Sequence, residues 1–257
     1  MPTLDRITIY PLKSLDGQTV AETTILASGA LQFDRRWALV DEADRFVNAK
    51  RTPLIHRLRL AFKFPRLGLQ LFDGEEVADF DIHEDRDELE RWLGLRLDQR
   101  VRLVENILVG FPDDTDAPGP TIISTATLQI VASWFPGLSI DEIRRRFRAN
   151  LEIGGVEPFW EDRLYAAAGE QVRFRIGEVT LLGVNPCQRC VVPSRDSDSG
   201  DVWPEFAKTF ARQREATLPT WANRERFNHY YRLAVNTSPS ADCAGKSLRV
   251  GASVAIK

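Results

Sequence analysis

Cys187 and Cys190 are separated by two residues in the run Asn185-Pro186-Cys187-Gln188-Arg189-Cys190-Val191-Val192-Pro193, and they are the only close pair among three cysteines. Arg189 sits between them. A cation beside a thiol favours the thiolate, which is a nucleophile and a soft metal ligand where the thiol is neither. Pro186 and Pro193 bracket the pair, so no long helix can cross it and a stiff loop is expected. The chemistry open to such a loop is soft-metal binding, sulfur carriage or electron transfer, against a plainer alternative of two small buried apolar residues. Zinc would want four ligands, and beyond this pair the chain offers only Cys243 and the dispersed His56, His83 and His229. A thioredoxin-like dithiol expects the pair at the start of a helix, which Val191-Val192-Pro193 argues against.

These thiols must be positioned by a chain of 257 residues, enough for one large domain or two modest ones. Its 34 basic and 37 acidic residues are interspersed, so no field steers it to nucleic acid or an anionic membrane, and neither partner is expected. Three cysteines make no disulfide framework in a chain this long, and Met1 to Arg6 carry no basic-then-apolar leader. Apolar stretches such as 128–135 fall short of the roughly 20 residues a membrane span needs. A soluble protein of the reducing cytoplasm is expected.

Patterning places short strands at 4–10, 20–26, 37–40, 46–49, 57–62 and 67–72, with a turn at Asp73-Gly74. Strands at this spacing read as a barrel or sandwich rather than a parallel sheet. The spacing of Leu89, Trp92 and Leu93 predicts a helix over 84–93. The turn-rich run 111–120 marks a loose boundary, giving units of 1–118 and 119–257. Beyond it, Ser124 or Thr125 caps a helix to about Trp134, and a helix over 140–147 carries Arg144, Arg145 and Arg146 as a solvated face. A strand follows at 150–153. A hairpin of 172–176 and 179–184, turning at Gly177-Glu178, delivers the chain to Cys187. A helix over 204–214 and strands within 230–235 and 248–256 close the chain.

The stretch from Pro186 to Gly200 resembles the signature of the molybdenum-cofactor sulfurase C-terminal (MOSC) domain, C-x-R-C followed by D-x-x-(T/S)-G. Tyr10-Pro11-Leu12-Lys13-Ser14 with Gly17 resembles the opening of the β-barrel module that precedes this domain. Asp34-Arg35-Arg36-Trp37, Thr52-Pro53, Phe147-Arg148-Ala149-Asn150 and Glu161-Asp162 are similar to later motifs, in the same order along nearly the whole chain. The chain departs from the pattern at Ala149, where proline is usual, at Asn228, where glycine is usual, and at Gly251-Ala252, where Gly-Asp is common.

The resemblance implies an α+β, mostly β fold: an N-terminal β-barrel-like module packed on a β-barrel-containing MOSC domain with peripheral helices. It implies a Mo-molybdopterin cofactor (the molybdenum cofactor), with Cys190 as the metal's protein ligand and Cys187 in a supporting place. The members nearest in arrangement, the mitochondrial amidoxime-reducing component and its bacterial relatives, reduce N-hydroxylated compounds. A small N-oxygenated substrate and an oxidoreductase reaction are therefore expected. For the cofactor's phosphate, Lys13, Arg35 and Arg148 supply cations, with Ser14, Asn150 and the helix start near Ser124 as further donors. Arg189 and Tyr230 join them as cofactor-binding positions. Asp196 reads as a turn carboxylate that also places a proton near the metal, and so as catalytic alongside Cys190. Cys243 alone cannot hold an iron–sulfur cluster that takes four cysteines, so electrons are expected from a separate donor protein. The alternative is a carrier of sulfur or of the cofactor, using a persulfide on Cys190.

Overall fold

The computed structural model describes residues 1–64 and 67–256. The first strand, β1 (Thr3–Ile9), buries Leu4, Ile7 and Ile9 and pairs antiparallel with β2 (Gln18–Val20). After β3 (Glu22–Thr24) come β4 (Trp37–Val40) and β5 (Phe46–Val47). A meander of β6 (Leu58–Lys63), β7 (Gly68–Asp73) and β8 (Glu76–Asp81) leads into α1 (Arg86–Leu97), and β9 (Arg102–Glu105) returns to pair with β4. Leu89, Leu93 and Leu97, at helical spacing on α1, join Trp37, Leu39 and Leu71 in one apolar core. The helix starts later and runs further than its sequence pattern predicts, ending where Asp98 turns left-handed at φ 51°.

The second half opens with β10 (Ile122–Ser124), which runs directly into α2 (Thr125–Ser133). α3 (Ile140–Phe147) follows, and β11 (Leu151–Gly154) lies parallel to β10 and antiparallel to β1. β12 (Val172–Ile176) and β13 (Val179–Gln188) form the expected hairpin, turning through Gly177 at φ 56°, a conformation glycine adopts without strain. Then come α4 (Phe206–Ala216), β14 (Arg232–Pro239), β15 (Ser247–Arg249) and β16 (Val254–Ile256). α2, α3 and α4 pack an aromatic cluster of Phe135, Phe147, Phe206 and Phe210 between them. Among the described residues no helix is long and apolar enough to cross a membrane.

The architecture is α+β and mostly β, as expected, but its barrels are not closed. The largest sheet has eight strands in the order β16-β12-β13-β14-β10-β11-β1-β2. Among the described residues its two ends approach each other through the isolated bridge from Thr3 to Ser253, the Leu4 amide donating to the Ala252 carbonyl at 2.9 Å, the Gly251 amide donating to the Leu4 carbonyl at 2.7 Å and the Val254 amide donating to the Pro2 carbonyl at 3.0 Å. Strands from the front of the chain sit inside this sheet, and β3 pairs with β15, so a cut between residues 118 and 119 passes through shared ladders.

One correction bears on the site. β13 does not stop at residue 184: its ladder with β14 continues through Pro186 to Gln188, with register shifts between Gly183 and Asn185 and between Pro186 and Gln188. A proline is tolerated where a bulge frees the strand from the ladder's hydrogen bonds. Cys187 is thus held on a strand, while Cys190 lies past its end.

Candidate functional site

The end of β13, the turn after β1 and the left-handed end of α3 converge on a cleft of about 690 Å³. It brings Cys187 and Cys190 together with Lys13, Ser14, Arg35, Arg148, Asn150 and Arg189. Three of these residues hold conformations that side-chain-bearing residues rarely adopt: Ser14 at φ 75°, Arg35 at φ 50° and Arg148 at φ 53°. Such strain persists only where the surroundings impose it, and it clusters at ligand sites. Cations dominate the lining, with eight Lys or Arg residues against three Asp.

α3 positions the cation of greatest interest. Ser139 caps the helix by accepting from the Glu142 amide at 3.1 Å, Asp141 and Glu142 complement its N-terminus, and Arg148 ends it in the left-handed region. The half-buried Arg148 guanidinium lies 4.1 Å from the Tyr10 ring centre, and among the described residues it has no hydrogen-bond or ion-pair partner. Burial pulls its pKa below the ordinary arginine value, and Arg35 adds to the effect. An arginine does not lose its proton in such a place, so the site favours an incoming anion.

The other cations are partly engaged. Lys13, 8% exposed, donates from Nζ to the Phe111 carbonyl at 2.8 Å and to Asp113 at 2.9 Å. Arg35 pairs with Asp34, which also accepts from the Tyr10 backbone amide at 2.8 Å and the Asn150 side-chain amide at 3.1 Å. Asn150 spends its remaining capacity on Thr8 and Thr121, so it works as a pin between β1 and the start of β11. Arg189 donates to Cys187 Sγ at 3.1 Å and to the Phe147 carbonyl, tying the thiols to the residue before Arg148. Its Nε is buried without a partner among the described residues. Arg226 and Arg232, absent from the expected set, line the cleft and donate to carbonyls and to Asn228, and among the described residues no carboxylate balances them.

Three expected residues stand outside the lining. Ser124 caps α2 as anticipated, but it is fully buried, and the anion at that helix start is Glu161, which accepts from the Ser124 amide at 3.2 Å and from Thr127 at 3.0 Å. Tyr230 stacks on Phe227 with ring centres 5.7 Å apart. Asp196 closes the turn after the thiols, accepting from the amides of Asp198 at 3.0 Å and Ser199 at 2.9 Å. Its partial burial is outweighed by those amides and by Arg146, which together hold its carboxyl below the ordinary range.

The reading of Arg144, Arg145 and Arg146 as a solvated face is overturned for Arg146, which is 3% exposed and lines the cleft. It donates to Glu142 at 2.7 Å and to the Pro193 carbonyl at 3.1 Å, and it reaches Asp196 at 3.4 Å, clamping the segment after Cys190 onto α3. The sequence carried a signal for this, since Arg146 lies three residues after the buried Ile143 and so beside the apolar stripe. Arg144 bridges to Glu152, and Arg145 binds Asp198 and the Ser197 carbonyl.

Glu161, in the Glu161-Asp162 motif, gives a pH signature. Burial, and then the neighbouring Asp162, push its carboxyl from the ordinary 4.5 up to about 7. The folded protein therefore binds this proton more tightly than the unfolded chain. The stability it contributes is fully present below about pH 4.5 and is lost as pH rises to about 7, to an extent of about 3 kcal/mol at most. Glu161→Gln should flatten that slope, so the variant's melting temperature gains on the wild type between about pH 5 and 8. Parallel melting curves for the two proteins over that range would contradict the assignment.

Fold and site together define a β-rich protein with a cationic, thiol-bearing cleft. Residues 1–100 match the MOSC N-terminal beta barrel domain and residues 121–255 match the MOSC domain. The chain belongs to the MOSC domain family. It is 26% identical over 247 residues to a molybdenum cofactor sulfurase of Drosophila mojavensis, covering 84% of this chain and 31% of that protein. A molybdenum cofactor sulfurase of Caenorhabditis elegans is 23% identical over 232 residues, covering 80% of this chain and 30% of that protein. Mitochondrial amidoxime reducing component 2 of Rattus norvegicus is 26% identical over 243 residues, covering 77% of this chain and 68% of that protein. The chain thus spans less than a third of the sulfurases it matches.

Proposed function

We propose that this chain binds the molybdenum cofactor in the cleft and reduces small N-oxygenated compounds with electrons from a separate donor protein. The observation that carries the reading is the presence, in one cavity, of the Cys190 thiol and the unpartnered Arg148 guanidinium. The cofactor asks for that combination, a soft thiolate for its metal and fixed cations for its phosphate. The cleft's volume lies within the range typical of organic-ligand sites. Among the described residues no group of three or more His, Cys, Asp or Glu is gathered for a metal, which favours a site with one protein ligand over a four-ligand zinc site.

When bound, the cofactor would supply two-electron redox chemistry. The residues of this chain hold and orient it. Cys190 offers the thiolate, Arg189 braces Cys187 and the end of α3, and Arg146 fixes the segment beyond Cys190. Arg148, Lys13 and Ser14 receive the phosphate. Asp196, outside the cleft lining, serves the turn that follows the thiols.

The name shared by the two sulfurases supports a second reading, a carrier that hands on the cofactor or its sulfur. One assay separates them. The cofactor-loaded chain, given a small amidoxime and reduced viologen as donor, should form the amidine with multiple turnovers. A loaded chain that never turns over would make it a carrier.

A further inference from the structure

Most of the strap 111–119 lines the cleft, and Asp113 on it accepts from Lys13. We propose that Asp113 is a stand-in anion, which an arriving phosphate displaces from Lys13 by exchange of carboxylate for phosphate. The inference rests on the cofactor reading above and concerns how the phosphate end of the site is kept before loading.

A buried ammonium is costly to leave unpaired. The Lys13 side chain is 10% exposed, and burial lowers its pKa, so it needs an anion whether or not a ligand is present. The strap provides one through Asp113 at 2.9 Å, with Lys50 at 3.7 Å from the same oxygen and the Phe111 carbonyl holding Lys13 from the other side. The Asp113 side chain is 62% exposed, so water takes over its solvation as soon as it lets go. Asp34 on Arg35 is the opposite case. It is fastened by the Tyr10 backbone amide and the Asn150 side-chain amide and cannot leave without breaking both. Of the two carboxylates already paired with the expected phosphate cations, Asp113 is the one held by charge alone: burial would raise its pKa, but Lys13, Arg35 and Lys50 outweigh that and hold its carboxyl well below the ordinary range, and among the described residues no backbone amide fastens it.

The ends of the strap are fixed by backbone hydrogen bonds, and between them Asp113 is held by its side chain. The Phe111 amide donates to the Arg35 carbonyl at 2.8 Å, and the Gly119 amide donates to the Thr237 carbonyl at 3.0 Å. A side chain at position 119 would bring its Cβ within 2.5 Å of that carbonyl oxygen, so only glycine allows the approach. Asp114 is bound separately, accepting from Asn236 at 2.8 Å, and serves as an internal control with the same charge on the same strap.

Inorganic phosphate is the probe, titrated into cofactor-free protein at constant ionic strength and read by thermal shift. Asp113→Asn should bind it roughly two- to fivefold more tightly than wild type, because an exposed competing pair has been removed. Asp114→Asn should stay near wild type. In parallel, phosphate should speed hydrogen exchange of the strap amides in wild type and leave Asp113→Asn unchanged. Equal gains in the two Asn variants, or a strap whose exchange ignores phosphate, would overturn the displacement. If phosphate stabilises none of the three proteins and Arg148→Ala makes no difference, the cofactor reading beneath it fails instead.

Discussion

Cys190→Ser is expected to abolish both molybdenum retention and amidoxime reduction, whereas Cys187→Ser keeps both. Serine replaces a soft thiolate with a hydroxyl that is not ionised at neutral pH, so the metal would lose its one protein ligand. The surroundings of the two cysteines support this inequality. Cys187 is held within the last residues of β13 and already accepts from Arg189 at 3.1 Å, a contact a serine hydroxyl can also accept. Its replacement should therefore cost only about 1 kcal/mol of stability. Cys190 lies past the strand end and lines the cleft. Zinc or a redox dithiol would need both sulfurs, and loading assays on the two variants would then show equal damage.

Arg148→Ala should weaken cofactor retention tenfold or more, since it removes a charge-assisted contact worth about 1.5–3 kcal/mol. The cofactor-free protein should hardly notice. Losing the contact with the Tyr10 ring costs about 0.5–1 kcal/mol, and relieving the repulsion from Arg35 works in the opposite direction. A residue whose removal leaves folding intact and empties the site is there for the ligand. Arg145→Ala is the comparison. Arg145 is bound to Asp198 and the Ser197 carbonyl outside the cleft lining, and its loss should leave retention unchanged. Retention measured by dialysis, with melting temperatures of the cofactor-free variants, separates the two effects; equal losses for Arg148→Ala and Arg145→Ala would mean the anion site has been misplaced.

What could be read from the sequence was local. The α3 boundaries, the Gly177 hairpin and the strand 37–40 follow from spacing and turn chemistry within a few residues. The thiol run and the motif cations around it were legible by type and order, and the fold gathers Lys13, Ser14, Arg35, Arg148 and Arg189 around one cleft. What could not be read depends on distant pairings. Whether the large sheet closes is decided where Thr3 meets Ser253, and nothing near either residue announces that meeting. Asp113 engages Lys13 across 100 positions, from a stretch whose composition says only turn. The sequence around Ser124 shows the helix cap but not that Glu161, 37 residues away, occupies the helix start in place of a ligand. Arg146 was the avoidable miss, since its place beside Ile143 on α3 was visible in the helical period.

The metal content of the purified protein tests the molybdenum site most directly. Expressed in a host that makes the cofactor, the wild-type chain should carry molybdenum and pterin in equal amounts, approaching one of each per chain, with Cys190→Ser losing the molybdenum. Zinc in place of molybdenum, or a chain that takes up neither metal nor pterin under those conditions, would contradict it.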